Sequence, residues 1–147
     1  MTKKMTEKPL RQEYLHFESL NTRWSDNDIY GHINNVVYYS YFDTVVNNYL
    51  INHAKLNIQT DDVVGFVVNS SCDYFAPIAH PEAIDVGFRV NNLGNKSVEY
   101  GLAIFKKNTA EAVACGTFTH VFVARSTGNS MLIPEKIRVG LELVLLK

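Results

Sequence analysis

Asn34-Asn35-Val36-Val37-Tyr38-Tyr39-Ser40-Tyr41-Phe42-Asp43-Thr44-Val45-Val46-Asn47-Asn48-Tyr49-Leu50-Ile51-Asn52 is the stretch whose conformation settles the architecture. Tyr38, Tyr41, Phe42, Val45, Tyr49 and Ile51 recur near helical spacing. Asn is a good helix N-cap. Val36-Val37-Tyr38-Tyr39 would also suit a strand, because β-branched and aromatic residues fit a pleated surface. Length and the Asn cap favour a helix from Asn34 or Asn35 to about Asn52, on the order of 25 Å long. Val36, Val37, Tyr39, Val46 and Leu50 fill the other faces, so this helix is expected to be buried on most sides. Ser40, Asp43, Thr44, Asn47 and Asn48 interrupt it too often for a membrane span.

Downstream the period changes to two. Val68, Ser70, Cys72 and Tyr74 share one face of a strand that Pro77 and Pro81 close. Ile84, Val86, Phe88 and Val90 alternate with Asp85, Gly87, Arg89 and Asn91, and the segment 91–95 is a turn. Val98, Tyr100, Leu102 and Ile104 form the next apolar face, and Glu111 to Ala124 the last long strand. Ile133-Pro134-Glu135-Lys136 opens a short terminal helix with Pro134 at its first position. Four strands joined by hairpins make an antiparallel sheet, and the sheet should curl around the apolar helix. The class is α+β. Upstream, Tyr14 to Trp24 is strand-like, but Leu15 and Phe17 oppose Leu20 and Trp24, which predicts a bulge near Ser19.

At 147 residues the chain is one domain. Residues 1–13 are expected to be a flexible N-terminal segment and residues 14–147 a single domain. The formal net charge of -1 leaves no basic excess for a dedicated nucleic-acid binder. Cys72 and Cys115 sit in apolar runs and are expected to be buried free thiols. The N-terminal residues lack an apolar stretch, so a cytoplasmic location is the expectation.

The densest chemistry lies just before the helix, in Arg23-Trp24-Ser25-Asp26-Asn27-Asp28-Ile29-Tyr30-Gly31-His32-Ile33-Asn34-Asn35. The first turn of a helix has free N–H groups and a partial positive charge. Such N–H groups can polarise a carbonyl or hold an oxyanion. A carboxylate just before the helix could attack that carbonyl or activate water against it. Gly31 allows close approach of backbone or ligand. These parts suit hydrolysis of an activated acyl group. Taken singly, Asp26 and Asp28 also read as turn residues, Asn34 and Asn35 as caps, and His32 as a structural hydrogen-bonder.

The same run, with Tyr38, resembles the signature of the 4-hydroxybenzoyl-CoA thioesterase family of hotdog-fold acyl thioesterases. Tyr74-Phe75-Ala76-Pro77, Lys96-Ser97, Ala114-Cys115-Gly116 and Ile133-Pro134 are similar too, so the resemblance spans roughly residues 14–138. It implies a hotdog fold, a long helix wrapped by a curved antiparallel sheet, assembled as a homodimer or homotetramer with sites at the dimer interface. It implies hydrolysis of an acyl-CoA, with no cofactor and no metal. Asp28 would be the catalytic carboxylate, the Asn35 N–H the carbonyl polariser, and His32 a helper or positioning group. Gly31, Asn34, Tyr38, Lys96 and Ser97 would contact substrate, with Lys96 and Ser97 toward the CoA. Tyr38, Tyr41 and Phe42 would line the acyl pocket. Asp43, inside the helix, is the alternative carboxylate. A non-catalytic domain that binds acyl-CoA as a sensor is the competing reading. No Gly-x-Ser-x-Gly elbow, zinc-ligand spacing or glycine-rich phosphate loop occurs.

Overall fold

The computed structural model describes residues 8–147. Its elements in chain order are β1 (His16–Asn21), α1 (Asn35–Asn52), β2 (Val64–Tyr74), β3 (Ala83–Leu93), β4 (Ser97–Lys106), β5 (Ala114–Val123) and α2 (Glu135–Glu142). The five strands form one antiparallel sheet in the order β1-β3-β4-β5-β2. The helix expected from the sequence is present, and Asn34 caps it by accepting the Val36 N–H on its side chain.

Alternation decides which strand residues meet the helix. Val86, Phe88 and Val90 of β3, Tyr100, Leu102 and Ile104 of β4, and Phe118 and Phe122 of β5 pack against Phe42, Val45, Val46 and Leu50. Phe42 is fully buried, which stabilises the fold by roughly 1.5–3 kcal/mol. Gly116 is a condition of this packing: a Cβ there would lie 2.0 Å from the Ser71 carbonyl oxygen and 3.1 Å from the Phe42 ring.

Several expectations need correction. The helix is covered on one side only: Val36 is 72% exposed, and Ser40, Asp43, Thr44 and Ile51 are also exposed. Apolar residues all round α1 therefore do not mean cover all round within one chain. β2 does not form a hairpin with β3. It crosses to the far edge and pairs with β5, since the segment 75–82 with its two prolines carries the chain past the end of the sheet. β1 has an unbroken register from His16–Phe88 to Asn21–Ala83, with no bulge at Ser19. Trp24 is 79% exposed and belongs to no strand face, so the conflict that called for a bulge does not arise. The irregularities fall instead at Val67/Asn69 in β2 and Val90/Asn92 in β3. Pro134 is the cap of α2 and not its first residue, one position from the expectation.

The expected flexible segment, residues 1–13, is in its last part fastened to the sheet. Leu10 bridges to Glu111, and Arg11–Glu13 forms a 3-10 turn. Arg11 pairs with Asp85 at 3.0 Å, donates to the Lys106 carbonyl, and lies over the Phe105 ring. Tyr14, Ala103, Phe105, Ala112 and Cys115 form a second small cluster on the outer face. Residues 1–7, which that expectation also covers, lie outside the described residues. Neither cysteine is in a disulfide; Cys115 is buried and Cys72 half-buried. Burial pushes the Cys72 thiol up to about 12, which fits an unactivated thiol.

Candidate active site

The loop before α1 is held by its own backbone. Asp26 is 1% exposed. Its carboxylate accepts the Tyr41 hydroxyl at 2.7 Å, the Arg23 N–H at 2.9 Å and the Arg23 guanidinium at 2.9 and 3.0 Å. Burial pushes the Asp26 pKa up, but the hydrogen bonds from Tyr41 and Arg23 outweigh it and leave the group below the usual carboxylate range. The Asp26 carbonyl accepts the Asn34 N–H at 2.9 Å, so this residue joins both ends of the loop. Asn27 bridges to Ile33, and its side chain accepts the His80 N–H. Ile33 donates to the Ile78 carbonyl. The loop is thus stapled to the 75–82 crossover.

Asp28 sits near the tip. Its N–H donates to the His32 carbonyl, and its Oδ1 accepts the N–H groups of Tyr30 at 2.8 Å and His32 at 3.4 Å. One carboxylate oxygen therefore organises the turn. Among the described residues no hydrogen bond reaches the other oxygen, which remains available for chemistry. Gly31 has φ +82°, and a Cβ on it would meet open space. It is needed here for the left-handed backbone, not for close approach.

Asp28, Tyr30, His32, Ile33, Asn35, Tyr38, Tyr74, Phe75, Ala76 and Pro77 surround an open cleft of about 440 Å³. Four residues of the sequence reading, Asp28, His32, Asn35 and Tyr38, thus come together. The first turn of the helix is informative. The Asn34 N–H goes to Asp26, the Val36 N–H to the Asn34 side chain and the Val37 N–H to the Asn34 carbonyl. Among the described residues, the Asn35 N–H has no acceptor. It is left open at the positive end of an 18-residue helix, in the cleft that holds Asp28.

Other expected residues fall elsewhere. The Asn34 side chain is engaged by the cap and does not line the cleft. Tyr41 and Phe42 belong to the buried scaffold, so of the three aromatic residues expected to line an acyl pocket only Tyr38 does. Asp43 is on the exposed helix face beside Asn47. Lys96 and Ser97 are at the start of β4, while the cleft adjoins its other end: Ile104 pairs with Ala114, and Ala114 with Tyr74. Seven residues of strand separate Ser97 from Ile104, roughly 23 Å. Within one chain they do not meet Asp28.

Tyr74, Phe75 and Pro77 are wall residues that the sequence reading placed in a motif without giving them a role. Tyr74 donates its hydroxyl to the Asn35 carbonyl at 3.0 Å, and its ring meets Tyr38 edge-on at 4.9 Å. Nothing local to Tyr74 in the sequence signals this, because the partner lies 39 residues away. Among the described residues no cluster of His, Cys, Asp or Glu has metal-binding geometry. No helix is long and apolar enough to cross a membrane.

The chain belongs to the Thioesterase-like superfamily, whose family profile matches residues 22–141. It is similar to the PA5185 protein from Pseudomonas aeruginosa strain PAO1, with 53% identity over 95% of this chain and 97% of that one and a TM-score of 0.93. It is 26% identical to the uncharacterized protein YsmA of Bacillus subtilis (strain 168) over 90 residues, 60% of this chain. The match spans 59% of the length of that curated relative. The fold is shared with Slr0204, a 1,4-dihydroxy-2-naphthoyl-CoA thioesterase from Synechocystis, at 16% identity over 85% of this chain and 93% of that one and a TM-score of 0.77.

Proposed function

We propose that the protein is an acyl-CoA thioesterase, hydrolysing an acyl-CoA to the free acid and CoA. The observation that carries this reading is that Asn35, whose N–H has no acceptor among the described residues, lines the same cleft as Asp28. The Asn35 N–H and the helix dipole polarise the thioester carbonyl and stabilise the oxyanion that develops on it. Asp28 either attacks the carbonyl carbon, breaking the C–S bond and releasing CoA thiolate to leave a mixed anhydride that water then hydrolyses, or takes a proton from water whose oxygen attacks that carbon as the C–S bond breaks. Its Oδ1 stays in the turn while Oδ2 does the work, so the carboxylate is aimed without being used up. His32, in the same cleft, helps orient Asp28 or the substrate.

We also infer that the working unit is a homodimer formed through β2. This strand is 11 residues long and lies at a sheet edge, with Phe66, Val67 and Val68 60%, 38% and 53% exposed. A long, apolar, unpaired edge is a template for another strand. A two-fold pairing across it reverses the partner's sheet. The start of the partner's β4 is then turned toward the end of the sheet that carries Asp28, where CoA phosphates need a cation.

Thiol release from short, long and aromatic acyl-CoAs, with Asp28→Asn beside the wild type, tests the reading. Turnover on part of the panel, reduced at least about 100-fold in the variant, supports it. Turnover unchanged in Asp28→Asn overturns the assignment of Asp28. Binding of acyl-CoA without thiol release favours the sensor reading.

A further inference from the structure

We propose that Tyr74 is a positioning residue that sets the direction of the Asn35 N–H by clamping the first peptide of the helix; this rests on the thioesterase reading above. The Asn35–Val36 peptide is held at both ends. Its N–H, on Val36, goes to the Asn34 side chain at 3.1 Å, and its carbonyl, on Asn35, takes the Tyr74 hydroxyl at 3.0 Å. The preceding peptide carries the open Asn35 N–H and shares the Asn35 Cα. Only the φ and ψ torsions of Asn35 lie between the two planes, and the Asn34 carbonyl, which accepts the Val37 N–H at 2.9 Å, limits those rotations; holding the second plane therefore narrows the aim of the first.

The clamp is well founded on its far side. Tyr74 is the last residue of β2, in register with Ala114 of β5. Its ring stands at 85° to that of Tyr38, which is 2% exposed. A helix start is ordinarily the place where a helix frays, and the exposed Val36 contributes little packing to hold this one. The Tyr74 hydroxyl lies 3.0 Å from the Asn35 carbonyl, which can only accept, so in this bond the hydroxyl donates; the Cys72 side chain is its other hydrogen-bond neighbour. Donors must lie 2.7–3.1 Å from the oxyanion to be effective, which makes a small drift of the Asn35 N–H costly.

The test is Tyr74→Phe in the full chain, which keeps the ring and removes only the hydroxyl. Two readouts are taken: steady-state hydrolysis of the best acyl-CoA, and amide hydrogen exchange at Asn35, Val36 and Val37. The expected result is a fall in kcat of about 10-fold, the loss of one oriented hydrogen bond, with KM within about 2-fold. Exchange at Val36 and Val37, whose N–H groups are bonded to Asn34, rises about 10-fold, while that of the already open Asn35 N–H and of β4 is unchanged. A KM that rises at constant kcat makes Tyr74 a wall of the cleft and overturns the proposal. So does an unchanged kcat with unchanged exchange. A wild-type chain inactive on every thioester overturns the thioesterase reading instead, and the exchange data then decide on the clamp by themselves.

Discussion

Asp26 and Asp28 stand two residues apart with opposite tasks. Asp26 is buried and fully used by Tyr41 and Arg23; Asp28 is half-exposed with an oxygen to spare. Local sequence shows two turn-prone carboxylates and cannot assign these tasks, because Tyr41 lies 15 residues on, inside the helix. The candidate site was legible where its parts are neighbours in sequence: Asp28, His32 and Asn35. It was not legible where the parts come from elsewhere, as with Tyr74. At Asn34 the capping reading describes what the side chain does. Asp26→Asn should destabilise the fold by about 2–3 kcal/mol, the range for a hydrogen bond to a charged group, measured by denaturant unfolding. Arg23→Ala should leave stability nearly unchanged in the same measurement, since that guanidinium is mostly in water. The Asp26 pKa lies below its unfolded value, so its contribution is present above the ordinary carboxylate range. It is lost as pH falls through the folded value.

Among the elements, α1 was readable end to end because a cap, a period and a length all agreed. The strands were readable as strands, since alternation is local, but their order was not. The position of β2 beside β5 follows from a crossover segment whose path depends on Ile78 and His80 meeting the 26–34 loop. The exposure of Val36 was also hidden, because hydrophobicity does not distinguish a face covered by the same chain from one covered by another. The close approach of β5 to β2 at Gly116 makes its own prediction. Gly116→Ala would press a methyl group into the Ser71 carbonyl. Backbone cannot swing aside as a side chain can, so the variant should lose roughly 1–3 kcal/mol, seen as a lower Tm. Gly31→Ala, by contrast, meets no atoms and suffers only from its positive φ, about 1 kcal/mol.

For the molecule as a whole, acid stability depends on a buried histidine. His120 is 1% exposed and bonded to the Tyr100 hydroxyl at 3.1 Å. Burial lowers its pKa from 6.5 to about 4. Between those values the unfolded chain binds the extra proton and the folded one does not, so stability falls as pH drops from about 6.5 to about 4 and then levels off. The size is on the order of 3 kcal/mol. Urea unfolding at pH 7 and pH 4.5 should show this slope, and His120→Asn should reduce it. Assembly is also a property at this scale. Val67→Lys on the exposed edge should convert the proposed dimer to monomer in sedimentation and lower turnover with it. A variant that stays dimeric would move the interface elsewhere.

The two edges of the sheet are unequal: β1 has six residues and β2 eleven. A sheet with two matching edges invites head-to-tail addition, in which each new copy leaves a fresh edge for the next and growth has no end. Here β1 is too short to satisfy β2, and the exposed Ser19 and Lys107 add polar groups to an edge that also shows Phe17. The long edge is best matched by its own like. In the proposed pairing both long edges are used in one step and only the short ones are left outside. Association of that kind terminates at a particle of fixed size, and light scattering of concentrated protein should reach a plateau with concentration instead of rising as a fibre would.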